Sequence, residues 1–500
     1  MREAFEERRP LRIGLLTHSV NPRGGVVHTI ELAHALHDAG HDVTVMAPAT
    51  PGQRFFRPVR CATQLVPVGG TPHDMVEMVG GRIEAFTTHL SALVEAKPFD
   101  VLHTHDPIGG NALANLQDEG LIDGFVRTVH HLEVFASPQL MFWQARGFRR
   151  ARQVFCVSRL WQDILGRQHG VDASEVSNGV DSERFGSVPQ SADAALALRL
   201  GVRTGAPVVL AVGGVEQRKN TLRLLEAFIV LRERRPGAQL VIAGGASLLD
   251  HAQYTRAFKA LAEASGLSIG RNQSVVLTGP LEDADMPGLY RLADVVAMPS
   301  LNEGFGLVVL EALASGAPVV VSRIAPFTEY LADADCEWAD PEQSQSIADA
   351  IDRALNSRDP TAIARSAARL SARFSWAASA DRHAMLYRQG LSRAATPAMQ
   401  SAKEIFMPVM HFNVRWPDHS ETRCYSPSLV VEDFLAVGQS YPLPDFLQRS
   451  RDALGIASER VRAKYGFACS QAMDQLAEIE HIATRFDAQP DAQVTVTAFD

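Results

Sequence analysis

Two glutamates, Glu303 and Glu311, flank a Gly-Phe-Gly turn in the stretch LNEGFGLVVLEALASGAPVVVS. The apolar segment ADVVAMPS before it predicts a buried strand, and the residues after the turn predict a helix over 307–315. Gly304 and Gly306 therefore lie where a strand passes into a helix. Glycine lets the backbone approach a ligand closely, and free amides at a helix start favour an anion such as phosphate.

The two glutamates have different predicted positions. Glu303 lies on the loop, near whatever the glycines approach, whereas Glu311 lies about one helical turn beyond Leu307 and on the same face. Both carboxylates could contact one ligand. The alternative is that Glu311 is a solvated helix former and Glu303 an ordinary loop charge.

A second segment, VGGVEQRKNTLRLLEAF, repeats the order of strand, glycines, loop and helix. It places Arg218 and Lys219 just before a helix predicted over 220–234, where cations suit a diphosphate leaving group. A solvated basic loop would give the same pattern. Gly24 and Gly25, in PRGG, provide a third glycine turn after the first predicted strand.

Other polar residues admit simpler interpretations. His130 follows a predicted strand in RTVHHLE, and a single histidine at such a place is more often structural than functional. We interpret the histidines of HTHD, at 103 and 105, as structural, with rings pointing to opposite faces of a strand. The two DAD segments, at 283–285 and 333–335, are expected to be solvated rather than to bind metal. The sequence contains no P-loop and no GxSxG elbow.

Composition limits the class of protein. Hydrophobic residues make up 46% of the chain and charged residues 21%, as in soluble globular proteins. The formal net charge of -9 argues against nucleic acid as a partner, and no run of about 18 apolar residues predicts a transmembrane segment. Peripheral membrane contact stays open. Five scattered cysteines without a CxxC pair, and a start without a signal-like apolar region, favour a cytoplasmic protein.

The chain of 500 residues is long enough for two or three domains. Strands alternate with helices in two successive sets, which predicts parallel sheets covered on both faces. The first set has strands predicted over 11–20, 41–48, 99–105, 124–130 and 153–158, with a helix over 26–40. The second set, after a hinge over 176–194, has strands predicted over 206–214, 238–245, 274–281, 293–300 and 317–322.

The pattern changes after a small-residue linker over 392–403. A strand from 407, a turn at 417–420 and a second strand over 421–426 predict a hairpin, and two or three helices follow. Ser426 is the predicted N-cap of the first of these helices. We expect the acidic end after about residue 486 to be frayed.

Taken in order, several stretches resemble the retaining GT-B glycosyltransferases of family four, a group that includes glycogen-synthase-like enzymes and mannosyl- and N-acetylglucosaminyltransferases. The match extends over about 11–391, and its most specific parts are EGFGLVVLE and QRKN. The resemblance implies an α/β GT-B fold, with two doubly wound Rossmann-like domains facing a cleft and a small α+β domain after them. The implied domains are an acceptor domain at 1–180, a donor domain with a closing helix at 181–391, a linker at 392–406 and a third domain at 407–500.

The resemblance also implies roles for individual residues. Glu311 would bind the ribose hydroxyls of a nucleotide sugar, Glu303 would hold the sugar, and Lys219, helped by Arg218, would neutralise the diphosphate. His130 would face the sugar from the first domain. The implied catalytic residues are His130, Arg218, Lys219 and Glu303, and the implied donor-binding residues are Gly24, Gly25, Gly304, Phe305, Gly306, Leu307 and Glu311. The family often has arginine at the position of Gly214, so which cation does most of the work is left open.

The expected reaction is the transfer of a sugar from a nucleotide sugar to an unknown acceptor with retention of anomeric configuration. Such enzymes need no metal or other cofactor, and a donor phosphate oxygen is thought to take the acceptor proton. Residues 407–486 resemble a small bacterial protein associated with nitrogen starvation, on the segments RWPD and KYGFACS. Two alternatives remain: a sugar-nucleotide epimerase on the same fold, and a nucleotide-sugar-binding regulator coupled to nitrogen status.

Overall fold

The computed structural model describes residues 9–70, 74–203, 205–245, 252–357, 359–395, 410–465, 470–486, 489 and 491–499. The chain divides into two compact units, which we describe separately. The larger unit comprises Met1–Asp163 and Asp172–Ala395, and the smaller comprises Ile164–Val171 and Thr396–Asp500.

The first half of the larger unit contains a seven-stranded sheet with all strands parallel, in the order β3-β2-β1-β4-β5-β6-β7. Its strands β1 to β7 are Arg12–Leu16, Asp42–Ala49, Ala62–Pro67, Val101–Thr104, Val126–Val129, Gln153–Cys156 and Ala173–Glu175. The connecting helices α1 to α5 are Gly24–Asp38, Met75–Ala96, Pro107–Asp118, Pro138–Arg149 and Arg159–His169.

The second half contains a six-stranded parallel sheet in the order β10-β9-β8-β11-β12-β13. Its strands β8 to β13 are Val208–Val212, Gln239–Ala243, Val275–Gly279, Val295–Met298, Val319–Ser322 and Glu337–Ala339. Helices α6 to α14 are Ser191–Leu200, Thr221–Arg234, Ala252–Ala264, Met286–Leu292, Leu307–Ala314, Phe327–Tyr330, Ser344–Asn356, Pro360–Arg373 and Trp376–Ala395.

Short apolar runs explain why these segments become central strands. Every residue of β9 and β11 is buried, because helices cover both faces of the sheet and an alternating pattern would leave polar side chains without water. Separate apolar clusters lie on the two faces, one around Leu210 and Val296 and the other around Val209 and Val295. The predicted fold of two doubly wound sheets is confirmed. In sheets of this kind, ligands bind at the loops that follow the carboxyl ends of the strands.

Sequence reasoning missed three strands at sheet edges. Strand β3 has one buried residue in six, and β7 and β13 have only three residues each. Edge strands pack on less of the core, so they carry a weaker apolar pattern than central strands.

The last helix of the larger unit, α14, was expected to close the second domain. In the structure its side chains Trp376, Ala380 and Tyr387 pack instead in the core of the first sheet, with Leu11 and Ile13. The hydroxyl of Tyr387 also lies 2.6 Å from Nδ1 of His103. The helix therefore ties the end of the second half to the first sheet, which local sequence pattern cannot reveal.

The smaller unit contains a four-stranded antiparallel sheet in the order β15-β14-β17-β16, with two helices. Its strands β14 to β17 are Met410–Arg415, Glu421–Ser426, Ser440–Pro442 and Gln493–Phe499, and helices α15 and α16 are Leu443–Tyr465 and Ser470–Ala483. The predicted hairpin is present, with Arg415 opposite Glu421. Gly466, expected to end a helix, and Cys469 lie outside the described residues.

Two predictions for this unit were wrong. The chain end is not frayed over 493–499: β17 pairs with both β14 and β16, and its Val494 and Val496 are fully buried. A strand between two neighbours satisfies its backbone on both sides, which outweighs the acidic character of the tail. The cap is Ser428 rather than Ser426, and it precedes a short 3-10 helix, Leu429–Asp433. Within the described part of the chain, no helix is both long and apolar enough to cross a bilayer.

Candidate active site

The loops after the two sheets meet at Gly304. This residue follows β11, whereas His130 follows β5 in the other half of the unit. A Cβ atom on Gly304 would lie 2.3 Å from the carbonyl oxygen of His130, so only glycine allows this approach. A second contact joins the two halves, because Trp161 on helix α5 donates from Nε1 to the carbonyl oxygen of Glu303 at 3.1 Å. The structure thus brings the predicted residues of both halves to one place.

Glu303 forms the centre of an ionic cluster. Its Oε1 lies 2.6 Å from Nζ of Lys219, and its Oε2 lies 3.1 Å from a guanidinium nitrogen of Arg218. The hydroxyl of Ser300 donates to Oε1 at 2.9 Å. Burial alone would raise the pKa of this carboxyl, but the charges of Lys219 and Arg218 outweigh it and lower the pKa to about 2. Glu303 is therefore a carboxylate held between two cations.

The backbone before helix α7 positions the two cations. Asn220 has φ of 57°, a left-handed conformation that asparagine tolerates, and its side-chain amide donates to the carbonyls of Pro299 and Pro341. Gly213 leaves room for Lys219, whose Cε would lie 2.8 Å from a Cβ atom there. Sequence reasoning did not assign a role to Asn220. Its place directly before a helix, after two cations, was the available signal.

Glu311, on helix α10, is held by a buried tyrosine. The hydroxyl of Tyr290 donates to Oε2 of Glu311 at 2.7 Å. Burial raises the pKa of Glu311, although the hydrogen bond from Tyr290 and the charges of Arg184 and Arg57 oppose it. A carboxylate has about four lone-pair sites, so this arrangement leaves acceptors for a further donor such as a diol.

Four charged side chains lie near Glu311 and join the two halves of the unit. Arg57 pairs with Glu31 from helix α1 and with Asp283, at 3.0 Å. Arg184 lies 2.8 Å from the other oxygen of Asp283. Two guanidinium groups thus alternate with two carboxylates, and each of these side chains is at most 20% exposed.

These contacts correct the expectation that the DAD segments are solvated. Asp283 takes part in the network near Glu311, and Asp285 pairs with Arg199 at 2.5 Å. In the second DAD, Asp335 is buried and pairs with Arg369. The partners are distant in sequence, so the acidic segments looked unpaired before folding.

The Gly-Phe-Gly turn provides backbone at the start of α10 and one side chain to the core. Gly306 has φ of 95° and is the N-cap of α10, where a side chain would meet Phe327 at 2.5 Å. Phe305, predicted in the donor-binding set, turns its ring into the core, where it stacks on Tyr330 at 5.0 Å. Leu307, also in that set, is half-buried against the cluster around Leu210 and against the core of the first sheet. Only the backbone of Phe305 is therefore available to a ligand here.

The first sheet contributes histidines. His130 is near His105, with Nε2 and Nδ1 at 3.3 Å, and near His28, whose ring centroid is 4.7 Å away. Nδ1 of His28 lies 2.6 Å from Oδ1 of Asn178. Burial lowers the pKa of His28 to about 4 and that of His130 well below its usual value, so these imidazoles are neutral near pH 7.

The prediction for HTHD was wrong about geometry. The rings of His103 and His105 have centroids 4.2 Å apart, because residues two apart on a strand share a face and His105 directly follows the end of β4. His103 is satisfied by Tyr387 and Thr128, as expected for a structural residue. His105 instead faces His130.

Gly24 and Gly25 begin helix α1, whose first turn contains no acidic residue. The first amides of a helix have no partner within the helix, so they can bind an anion. A Cβ atom on Gly25 would lie 3.5 Å from Cδ2 of His130, which places this helix start beside the histidine. The third predicted glycine turn thus borders the same site.

Three family models match successive parts of the chain. Residues 22–184 match the family described as Glycosyltransferase Family 4, and residues 198–371 match Glycosyl transferases group 1. Residues 411–499 match the family described as Nitrogen starvation-induced protein NitG.

Individual relatives cover most of the chain. A D-inositol 3-phosphate glycosyltransferase of Mycolicibacterium smegmatis is 28% identical over 78% of this chain and 94% of its own length. A phosphatidyl-myo-inositol mannosyltransferase of the same organism is 30% identical, over 65% of this chain and 79% of its own length.

Solved structures share the fold. Sucrose-phosphate synthase from Thermosynechococcus elongatus has a TM-score of 0.62 at 23% identity, covering 78% of this chain and 100% of that one. Anabaena Alr3699/HepE in complex with UDP and glucose has a TM-score of 0.62 at 20% identity, covering 76% of this chain and 99% of that one. With two GT-B sheets, loops that meet at Gly304, and relatives at this level of identity, the chain belongs to the group 1, family 4 glycosyltransferases and carries a C-terminal NitG domain.

Proposed function

We propose that this protein transfers a hexosyl group from a nucleotide diphosphate sugar to an acceptor hydroxyl, with retention of anomeric configuration and without a metal. The observation that carries the proposal is the contact of Gly304 with His130, which places the ionic cluster around Glu303 opposite the histidines. Solved relatives of this fold hold UDP with glucose, or ADP, which supports a nucleotide-sugar donor.

The charge of the cluster suits a diphosphate. Lys219 and Arg218 carry two positive charges against the single carboxylate of Glu303, so one net positive charge remains before the donor binds. The diphosphate gains negative charge as it leaves, and a cation already held in place stabilises that charge most in a site with little water. The side chains of Lys219 and Arg218 therefore supply the positive charge that a divalent metal would otherwise supply to the diphosphate. We expect transfer to persist in EDTA.

Glu303 has a second task besides balancing charge. Its pKa of about 2 keeps it ionised, so it accepts hydrogen bonds and does not serve as a general acid near pH 7. In the proposed reaction it accepts hydrogen bonds from sugar hydroxyls, while the backbone of Gly304 and Gly306 approaches the sugar. His130 faces the same sugar from the first sheet as a neutral imidazole.

Glu311 binds the ribose in this proposal. Tyr290 occupies one lone-pair site and fixes the side chain, so the remaining sites can accept from the two ribose hydroxyls. Binding requires the carboxylate form. Because burial raises the pKa of Glu311, donor affinity should weaken toward acid pH before an exposed glutamate would be protonated.

No side-chain nucleophile enters the proposed mechanism. The acceptor hydroxyl attacks the anomeric carbon on the face from which the diphosphate leaves, and its proton passes to a donor phosphate oxygen. The bond from anomeric carbon to phosphate oxygen breaks as the new glycosidic bond forms, so the configuration is retained.

The test is a screen of UDP-, GDP- and ADP-sugars by nucleotide release, followed by NMR of the anomeric proton in the product. The names of two relatives make phosphorylated inositols the first acceptors to try. An inverted anomer would overturn the retaining mechanism. Donor binding without nucleotide release for any acceptor would favour a nucleotide-sugar-binding regulator instead.

A further inference from the structure

Three histidines on the first-sheet side of the site form a second candidate site. His28 comes from helix α1, His105 follows β4 and His130 follows β5, so three separate loops and helices bring them together. Each offers a ring nitrogen, and the three nitrogens all lie within 4.8 Å of one another. Within the described residues this is the one group of histidines, cysteines and carboxylates so arranged.

One edge of this triangle already has the length that a metal requires. Zinc binds imidazole nitrogen at about 2.0–2.1 Å, so two ligands of a tetrahedral ion lie about 3.3 Å apart. Nδ1 of His105 and Nε2 of His130 are 3.3 Å apart and share a hydrogen bond, whose proton a metal bound to both nitrogens would displace. The remaining nitrogen–nitrogen distances are at most 4.8 Å, so each would have to shorten by at most about 1.5 Å to match a tetrahedral ion.

The hydrogen bonding of His28 supplies an independent observation. Oδ1 of Asn178 accepts only, so Nδ1 of His28 carries the hydrogen and Nε2 carries the lone pair. Nε2 is fully buried and, among the described residues, has no hydrogen-bond partner. A lone pair without a donor is costly in a protein interior, and a metal ion would satisfy it.

The surroundings also suit a metal. Metal-binding histidines usually donate their other nitrogen to an oxygen atom that fixes the ring, as Asn178 does for His28. Oδ2 of Asp106, directly after His105, is buried and has no hydrogen-bond partner within the described part of the chain. Imidazole ligands favour zinc and similar divalent ions over magnesium or calcium.

We propose that a divalent transition-metal ion of the zinc class binds to His28, His105 and His130 and thereby inhibits sugar transfer. The inhibition follows because a coordinated His130 no longer faces the sugar. Only the inhibition rests on the proposed function, whereas metal binding does not. EDTA should then leave the activity intact or raise it.

The test uses the full chain, stripped with EDTA and dialysed, and titrated with Co²⁺ in the absence of donor. We expect one equivalent to bind with the visible absorption of a tetrahedral cobalt site, and Zn²⁺ to displace it. His28→Gln keeps a hydrogen-bonding group beside Asn178 but removes an imidazole, so cobalt affinity should fall more than about a hundredfold. Asn178→Ala should weaken it about 10–100-fold.

His131→Gln is the matched control, because His131 follows His130 directly but lies on the surface and pairs with Glu133. It should bind cobalt like the parent. Zinc should block nucleotide release by the parent and the control, and should leave His28→Gln active. Absence of a stoichiometric cobalt site, or an unchanged affinity in folded His28→Gln, would overturn the metal site. Zinc binding without loss of nucleotide release would overturn the inhibitory role. Nucleotide release by the metal-free protein tests the proposed transferase function separately.

Discussion

The two sides of the site show how one physical condition, burial, has opposite results. On the first-sheet side, His28 and His105 are buried and His130 is half-buried beside them, and loss of water around the rings keeps all three neutral. On the second sheet, Glu303 is equally hidden from water but remains ionised, because Lys219 and Arg218 lie against it. The partner, not the depth, decides whether a buried group keeps its charge.

Because one side is charged and the other neutral, we expect the two sides to contact different parts of the donor. The charged side suits the diphosphate, whose charge increases during transfer, whereas the neutral ring of His130 can contact a sugar without competing for that charge. Each side can be perturbed by itself, and the two should respond differently.

Removing a cation from the charged side should have the largest effect. Lys219→Ala should slow transfer on the order of a hundredfold, because a fixed charge that stabilises the leaving diphosphate is lost. Nucleotide-release kinetics at saturating donor measure this. Arg223→Ala, which removes a partly exposed arginine on the helix that follows Lys219, is the control and should be near normal. If Lys219→Ala is near normal and Arg218→Ala is inactive, Arg218 is the principal cation.

Separating the two sides should cost nearly as much. In Gly304→Ala the new Cβ would lie 2.3 Å from the carbonyl of His130, so the loops must move apart. A displacement of about 1 Å between reacting groups can cost about a hundredfold in rate. Gly81→Ala, where a Cβ atom meets nothing within 4 Å, should keep full activity. Normal turnover by Gly304→Ala would show that the contact is dispensable.

The two glutamates should separate binding from turnover. Glu311→Gln should weaken donor binding by about 1.5–3 kcal/mol, or roughly 10–150-fold in Kd, because charged hydrogen bonds to the ribose are lost. Glu303→Gln should lower turnover more than donor affinity. Donor titration by calorimetry and initial rates measure the two effects, with thermal melting to confirm folding. The opposite pattern would mean that the assigned roles are exchanged.

Acid should weaken the two sides over different ranges of pH. Burial lowers the pKa of His34, on the first-sheet side, to about 4, and its Nε2 accepts a hydrogen bond from the backbone of Arg60. Its contribution to stability is complete above the unfolded pKa of about 6.5 and is lost as pH falls toward 4. Glu303 contributes above its unfolded value of 4.5, and this is lost as pH falls toward 2.

Melting temperature measured from pH 7 to pH 4 tests this difference. His34→Gln should flatten the decline over that range, and His37→Gln, exposed on the same helix, should not change it. An unchanged slope in His34→Gln would mean that this histidine is not held neutral by the fold.

Removing the C-terminal domain should have the smallest effect. The glycosyltransferase match ends at 371 and the NitG match begins at 411, and, except for Ile164–Val171, the two belong to separate compact units. A protein of residues 1–402 should therefore melt as the full chain does and release nucleotide at a similar rate, with acceptor choice or regulation as the property that changes. Loss of donor binding in the shortened protein would show that the NitG domain is integral to the enzyme.

Local pattern was sufficient for most of the fold and for part of the site. Apolar runs identified the central strands, since strands buried on both faces need no polar positions. Glycines at strand-to-helix turns identified the loops around Gly304 and Gly306, where a side chain would collide with a neighbour. Edge strands were missed because they pack on less of the core and carry a weaker apolar pattern. The terminal strand β17 was missed because its pairing partners are distant in sequence.

The sequence by itself therefore determined the residue types that the chemistry needs: a glutamate on each side of a glycine turn, two cations before a helix and a histidine after a strand. Only the tertiary structure decided their partners. Glu303 meets Lys219 across 84 positions, and His28 joins His105 and His130 from separate elements. Charge and burial depend on distances in space, and neighbours in space are set when the two sheets pack, not by order along the chain.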